Sequence, residues 1–317
     1  MRSTSSGSTH AIPQSRHNIM VEKEKESVPL LNMKAAASGV MAGVVTDAVF
    51  YGIDSYKIQA QASGHKIKFH RLFRGLLGAT ITGSIPSYGV FFMLYQPMKE
   101  TVDRLGENAG AKTSPAFNVM MASLGAAIPS SLVYVPCDVI RKRLVLGVGG
   151  AGVSAPTHVG YTSSSSFSGV AKEVFVSHGL SGFFIGWRAN MVKDMVFSGL
   201  KMSIYEATAR FYLRYVVKKE SNDAKNLTPN EGAIVGCGAG VFTAFLTMPL
   251  DTVNTRIKSG ELASFSIAQA HVQIVKKEGI FALFQGILPR TLTIGFGSTL
   301  FWFAYAKANA VLGTFSE

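Results

Sequence analysis

Apolar residues gather in six runs, near 33–53, 76–98, 114–137, 183–205, 232–250 and 287–306, with polar stretches between them. Each holds about 20 residues, enough helix at 1.5 Å per residue to cross a hydrocarbon core roughly 30 Å thick. The pattern predicts an all-α membrane protein with six transmembrane helices, both ends of the chain lying on one side. Loops 57–74, 138–182 and 251–285, on the other side, hold 13 basic and 5 acidic residues, against 13 and 11 in the tails and loops of the terminus side. The three loops therefore face the more basic compartment. Stretches Val170–His178 and Ala268–Glu278 are amphipathic and predict short helices lying at that interface. Residues 1–28 lack the apolar content to pack a core and read as a disordered tail. The first twenty residues contain Arg2 and Arg16 and no acid, a leaning towards organelle targeting. Residues 146–168, rich in Gly and Ser, read as a flexible insertion.

The odd runs share an ending. Pro136, Cys137, Asp138, Val139, Ile140, Arg141 has the spacing proline, any, acid, any, any, base. It recurs as Pro249, Leu250, Asp251 with Asn254 in the base position, and as Gly52, Ile53, Asp54 with Lys57, glycine standing for proline. Small residues recur 13 and 9 positions earlier: Gly39 and Gly43, Ser123 and Ala127, Gly236 and Gly240, the pattern that lets helix backbones approach closely. The chain therefore divides into three pseudo-repeats, 29–106, 107–218 and 219–317. Proline bends a helix. Acid and base three apart lie on one side of its end. In a ring of three such ends each base reaches the acid of the next, so Lys57 is expected to pair with Asp138 and Arg141 with Asp251, while Asn254 leaves Asp54 without a bridge. Gln61, one turn beyond Lys57, is placed to brace the first pair.

Composition supports the membrane reading: 47% of residues are hydrophobic, only 16% are charged, and mean hydropathy is +0.24. The net charge of +12 raises nucleic-acid binding, but no basic block with interleaved aromatics is present. Cys137 and Cys237 both sit in apolar runs, and the seven His show no metal-ligand spacing, so neither a disulfide framework nor a metal or cofactor site is expected. No Gly-rich nucleotide loop follows a strand pattern, and an enzyme is not expected.

Charges inside spans cost on the order of 3 kcal/mol each and normally face an interior or a water-filled path. Span one contains Asp47, span four contains Arg188, Lys193, Asp194 and Lys201, and span six starts near Arg290. Seven residues apart, Asp47 and Asp54 share a helix face, as do Asp194 and Lys201. A mutually neutralising buried network and a ligand cavity both account for such charges.

Repeat, register and topology together resemble the mitochondrial carrier family over residues 33–312. Within it, four stretches are similar to the S-adenosylmethionine carriers: the short loop Gln61–Phe73, Gly83–Pro86 with Tyr95–Lys99, Val133–Arg143, and Gly286–Arg290. The resemblance implies six helices around a central cavity in the mitochondrial inner membrane, or in a plastid inner envelope. It implies a monomer, with cardiolipin as a candidate lipid partner, exchanging S-adenosylmethionine for S-adenosylhomocysteine by alternating access. Another adenine-containing or amino-acid-like zwitterion, or a carrier fold serving as a membrane adaptor, are the alternatives. It assigns substrate contacts to Asp47, Gly83, Lys193, Asp194 and Thr293, the acids suiting a ligand's cationic end and Lys193 its carboxylate. Lys201 belongs to the same face and departs from those carriers, which usually have a neutral residue there. A second gate, on the terminus side, is expected to be weak, with Lys99 and Glu206 its charged remnants and Tyr305 in an acid's place.

Overall fold

The computed structural model describes residues 14–62, 67–108, 115–148, 166–216 and 229–312. All regular structure among them is helical. Helix α1 spans Gln14–Gln61; α2 (Leu76–Ala79) runs through a π-turn at Thr80–Ser84 into α3 (Ile85–Asn108). Helix α4 spans Pro115–Leu146, α5 Phe167–His178 and α6 Trp187–Phe211. Helices α7 (Pro229–Leu246) and α8 (Met248–Lys258) form a bent pair, followed by α9 (Ile267–Glu278) and α10 (Ile287–Leu312). The tail expected to lack structure is helical from Gln14, and its first 13 residues lie outside the described residues. Its Glu22–Glu26 run is made of good helix formers, which carry the helix outward from the span. Most of the Gly/Ser-rich insertion, residues 149–165, lies outside the described residues.

Four helical stretches are long and apolar enough to cross a membrane, and a fifth is if α7 and α8 count as one span. The remaining expected span, α6, has the length at 25 residues but carries Arg188, Lys193, Asp194 and Lys201. Of these, Lys193 and Asp194 are half-buried and paired within a ring of neighbouring helices, while Arg188 and Lys201 are exposed. That ring is closed: α1 packs on α3, α3 on α4, α4 on α6, α6 on α7, α7 on α10, and α10 back on α1. In the first repeat the small residues do what their register predicts, since a side chain at Gly39 would collide with the Phe92 ring, and one at Gly43 with the Tyr88 ring.

Threefold equivalence is visible in the backbone. Gly75, Gly186 and Gly286, just ahead of α2, α6 and α10, share the left-handed φ values 78°, 79° and 81°. Each lies against the end of a helix of another repeat: Gly75 on Leu144 of α4, Gly186 on Lys258 of α8, Gly286 on Lys57 of α1. Serines cap the two interfacial helices, Ser166 accepting from the Gly169 N–H and Ser266 from that of Gln269, while Val170 and Val174, or Ala270 and Ile274, form the buried faces. At one repeat the bend breaks the helix, α7 and α8 meeting at 58° beside Pro249, whereas α4 runs unbroken through Pro136 and α1 through Gly52.

Candidate functional site

The C-terminal ends of α1, α4 and α8 converge and bring the three hexapeptides together. Lys57 Nζ lies 3.1 Å from Asp251, and the Arg141 guanidinium 3.7 Å from Asp54. This corrects the expected direction: each base pairs with the acid of the preceding repeat, not the following one. Spacing along a helix sets the face a charge occupies, but the order in which three ends are met around a ring comes from packing. The third acid is not left bare either. Asp138 receives Lys258 from α8 at 2.7 Å and Lys142 of its own helix at 2.9 Å. Lys258 stands one turn beyond Asn254, so the missing bridge is moved down the helix rather than lost. That position repeats Gln61 relative to Lys57, and the i+4 offset was the signal by which the sequence could have disclosed it.

Gln61 braces the first pair as expected, through the partner that Lys57 actually has. Its amide donates to Asp251 at 2.9 Å and its carbonyl accepts from the Thr255 hydroxyl at 2.8 Å. Arg290 adds a second cation to Asp251 at 2.9 Å and donates to Thr247 at 2.8 Å. A second tier lies beneath. Arginine from another repeat caps the last carbonyl of each of α1, α8 and α4: Arg256 donates to Gln61 O at 2.8 Å, Arg143 to Lys258 O at 3.4 Å and Arg71 to Leu146 O at 2.5 Å. Cations at helix C-termini are stabilised by the macrodipole. Arg256 is itself clamped by both Glu278 oxygens, tying α8 to α9. Asp138, Asp251, Lys142 and Lys258 are all buried, so this end of the ring is closed.

Above the seal lies the cavity. One lobe of about 250 Å³ is lined by Asp47, Ser84, Ser87, Tyr88, Lys193 and Asp194 among others. A second, about 240 Å³, is lined by Asp54, Lys57, Lys193, Asp194, Phe197 and Thr293 among others. Asp47 accepts from the Ser84 hydroxyl at 2.5 Å and the Tyr88 hydroxyl at 3.1 Å. The π-turn at Thr80–Ser84 re-aims Ser84 towards α1, and Gly43, one turn before Asp47, makes room for the Tyr88 ring to cross α1. On the facing wall Lys193 and Asp194 pair at 2.9 Å, and Asn190 donates to the other Asp194 oxygen at 2.7 Å.

The remaining expected residues divide. Thr293 lines the second lobe and lies 3.5 Å from Asp54. Gly83 does not face the cavity: it is buried, and a side chain there would strike Cys137, so the neighbouring Ser84 is the one that reaches the interior. Lys201 is exposed, about 10 Å further along α6 than Asp194 at helical rise, away from the lining residues of both lobes. At the terminus-side end Lys99 forms no ion pair among the described residues, and the Glu206 side chain lies outside them. Aromatics occupy that end, with Phe92 stacked 6.2 Å from both Phe301 and Tyr305.

A closed helical ring, polar and charged within and sealed at one end by ion pairs, is the architecture of a membrane carrier. A family model described as mitochondrial carrier protein matches residues 112–216 and 225–316, and the chain belongs to that family. The first repeat, where Gly52 replaces the proline, falls outside both matched stretches. The chain is 31% identical over 285 residues to a probable S-adenosylmethionine carrier 2, chloroplastic, of Arabidopsis thaliana, covering 88% of this chain and 74% of that relative. It is likewise 31% identical over 273 residues to S-adenosylmethionine carrier 1, chloroplastic/mitochondrial, of the same plant (84% and 74% covered). A mitochondrial S-adenosylmethionine carrier protein of Xenopus tropicalis is 27% identical over 284 residues (87% and 94% covered).

Proposed function

We propose that this carrier exchanges S-adenosylmethionine for S-adenosylhomocysteine across the mitochondrial inner membrane. The observation that carries the reading is one cavity lobe of about 250 Å³ with an acid on one wall, Asp47, and an acid–base pair on the other, Lys193–Asp194. A ligand with a sulfonium, an ammonium and a carboxylate gives these separated charges a use. Asp194 meets the cationic end and Lys193 the carboxylate, while Asp47, held by Ser84 and Tyr88, reads the second positive centre. Arg141, Lys57 and Lys258 with their acids form the gate towards the more basic compartment, and alternating access requires those pairs to part on each cycle. The names of the relatives support the substrate, and those naming the chloroplast keep a plastid envelope as the second location.

The test is competitive uptake into liposomes carrying the purified protein. Asp194→Asn keeps shape and hydrogen bonding but removes a charge, at a cost of about 1.5–3 kcal/mol, or roughly ten- to a hundredfold in affinity. The variant is expected to lose more affinity for S-adenosylmethionine than for S-adenosylhomocysteine, which lacks the sulfonium charge. Absence of uptake of both ligands by wild-type protein, or an unchanged affinity ratio in both Asp194→Asn and Asp47→Asn, refutes the reading.

A further inference from the structure

The cavity and the seal are joined by one side chain. Asn190, on α6 and only 5% exposed, stands between them. Its amide nitrogen donates to Asp194 at 2.7 Å, and its carbonyl oxygen accepts from Lys258 Nζ at 2.8 Å. Asn254 approaches the same oxygen at 3.4 Å. Lys258 in turn holds Asp138 at 2.7 Å. The polarity of this chain is fixed: an acid pulls on the amide N–H, and an ammonium feeds the amide oxygen. Among uncharged side chains of this length an amide does both at once.

The arrangement depends on what is unusual in the third repeat. Asn254 cannot form an ion pair, and Lys142 sits on the same helix as Asp138, so Lys258 is the cation that ties Asp138 to another helix. The bridge that substitutes for the missing base is also the one that touches Asn190. We infer that Asn190 is a positioning residue that transmits occupancy of Asp194 to the Lys258–Asp138 bridge, so that ligand binding loosens the seal. With the cavity empty, Asp194 holds the amide and the amide orients Lys258. A ligand cation at Asp194 competes for the carboxylate oxygen that Asn190 uses. Asn190 then loses its acceptor and Lys258 loses an oriented second partner. The inference rests on the carrier reading and on Asp194 as a ligand contact, but its physical core can be tested without any ligand.

The first measurement is therefore ligand-free. Melting temperatures of the detergent-purified protein are compared for wild type, Asp194→Asn, Lys258→Met and the double variant. Transmission through Asn190 predicts a non-additivity of about 2 °C or more. The same cycle in an Asn190→Leu background is expected to be additive. Plain electrostatic attraction between Asp194 and Lys258 would survive Asn190→Leu, so persistent non-additivity overturns the proposal, as does additivity in the wild-type background. The second measurement is transport in liposomes, as the ratio of exchange to unidirectional efflux. Asn190→Leu is expected to lower that ratio about tenfold, with less than threefold change in KM, and Lys258→Met added to it is expected to lower it no further. A fall in exchange and efflux by the same factor marks a packing role only and overturns the proposal. If wild-type protein carries neither nucleoside ligand, the substrate assignment fails while the melting cycles still decide the link.

Discussion

The Asp251 and Asp54 corners of the seal come from the same hexapeptide, yet they hold their acids very differently. Asp251 has Lys57 at 3.1 Å, Arg290 at 2.9 Å and Gln61 at 2.9 Å, and its side chain is 7% exposed. Asp54 has Arg141 at 3.7 Å and Thr293 at 3.5 Å, and is 28% exposed. A carboxylate can be buried only if its charge is met by well-placed partners. The first corner satisfies that condition twice over, and the second keeps part of its hydration instead. The lesson is that a threefold motif need not give a threefold gate. Under the proposed alternating access, the Asp251 corner is expected to hold and the Asp54–Arg141 pair to part more readily.

The largest effect is expected from reversing a charge at the tight corner. Lys57→Asp places two acids side by side and should abolish exchange, and adding Asp251→Lys should restore part of it. Rescue by Asp138→Lys instead would mean that the ring runs the other way. Next, Asp251→Asn strands two cations in a buried site. Breaking one side of a buried ionic cluster costs about 3–5 kcal/mol. A fall in melting temperature on the order of 10 °C is expected.

Smaller is the effect of Lys258→Met, which removes one charge-assisted bond from Asp138 at about 1.5–3 kcal/mol. Asn254 lines the same pocket as Asp138, so Asn254→Lys in that background returns a base one turn higher. It should recover at least half of the lost melting temperature, and no recovery would show that this position does not reach Asp138. Smallest is Asp54→Asn. A loose, partly hydrated pair contributes about 1 kcal/mol or less. Melting should drop by about 2 °C or less with exchange retained. A loss as large as that of Asp251→Asn would erase the distinction between the corners.

The sequence by itself determined what depends on spacing along one helix. Run length set the helices, the recurrence of Gly52, Pro136 and Pro249 set the repeats, and the seven-residue interval placed Asp47 on the face of Asp54. Gly39 and Gly43 marked the close approach of α1 and α3 from their register alone. Tertiary structure alone decided which helix meets which. Whether Lys57 reaches Asp138 or Asp251 depends on the hand in which three ends are arranged, and no one-dimensional interval carries a hand. The same holds for Ser84 rather than Gly83 facing the cavity, because a π-turn rotates the helix by part of a residue. It holds too for Lys258 and Asn190, which are 68 residues apart and meet only because α6 and α8 pack against each other. Local geometry fixes faces, and only packing chooses the partner across them.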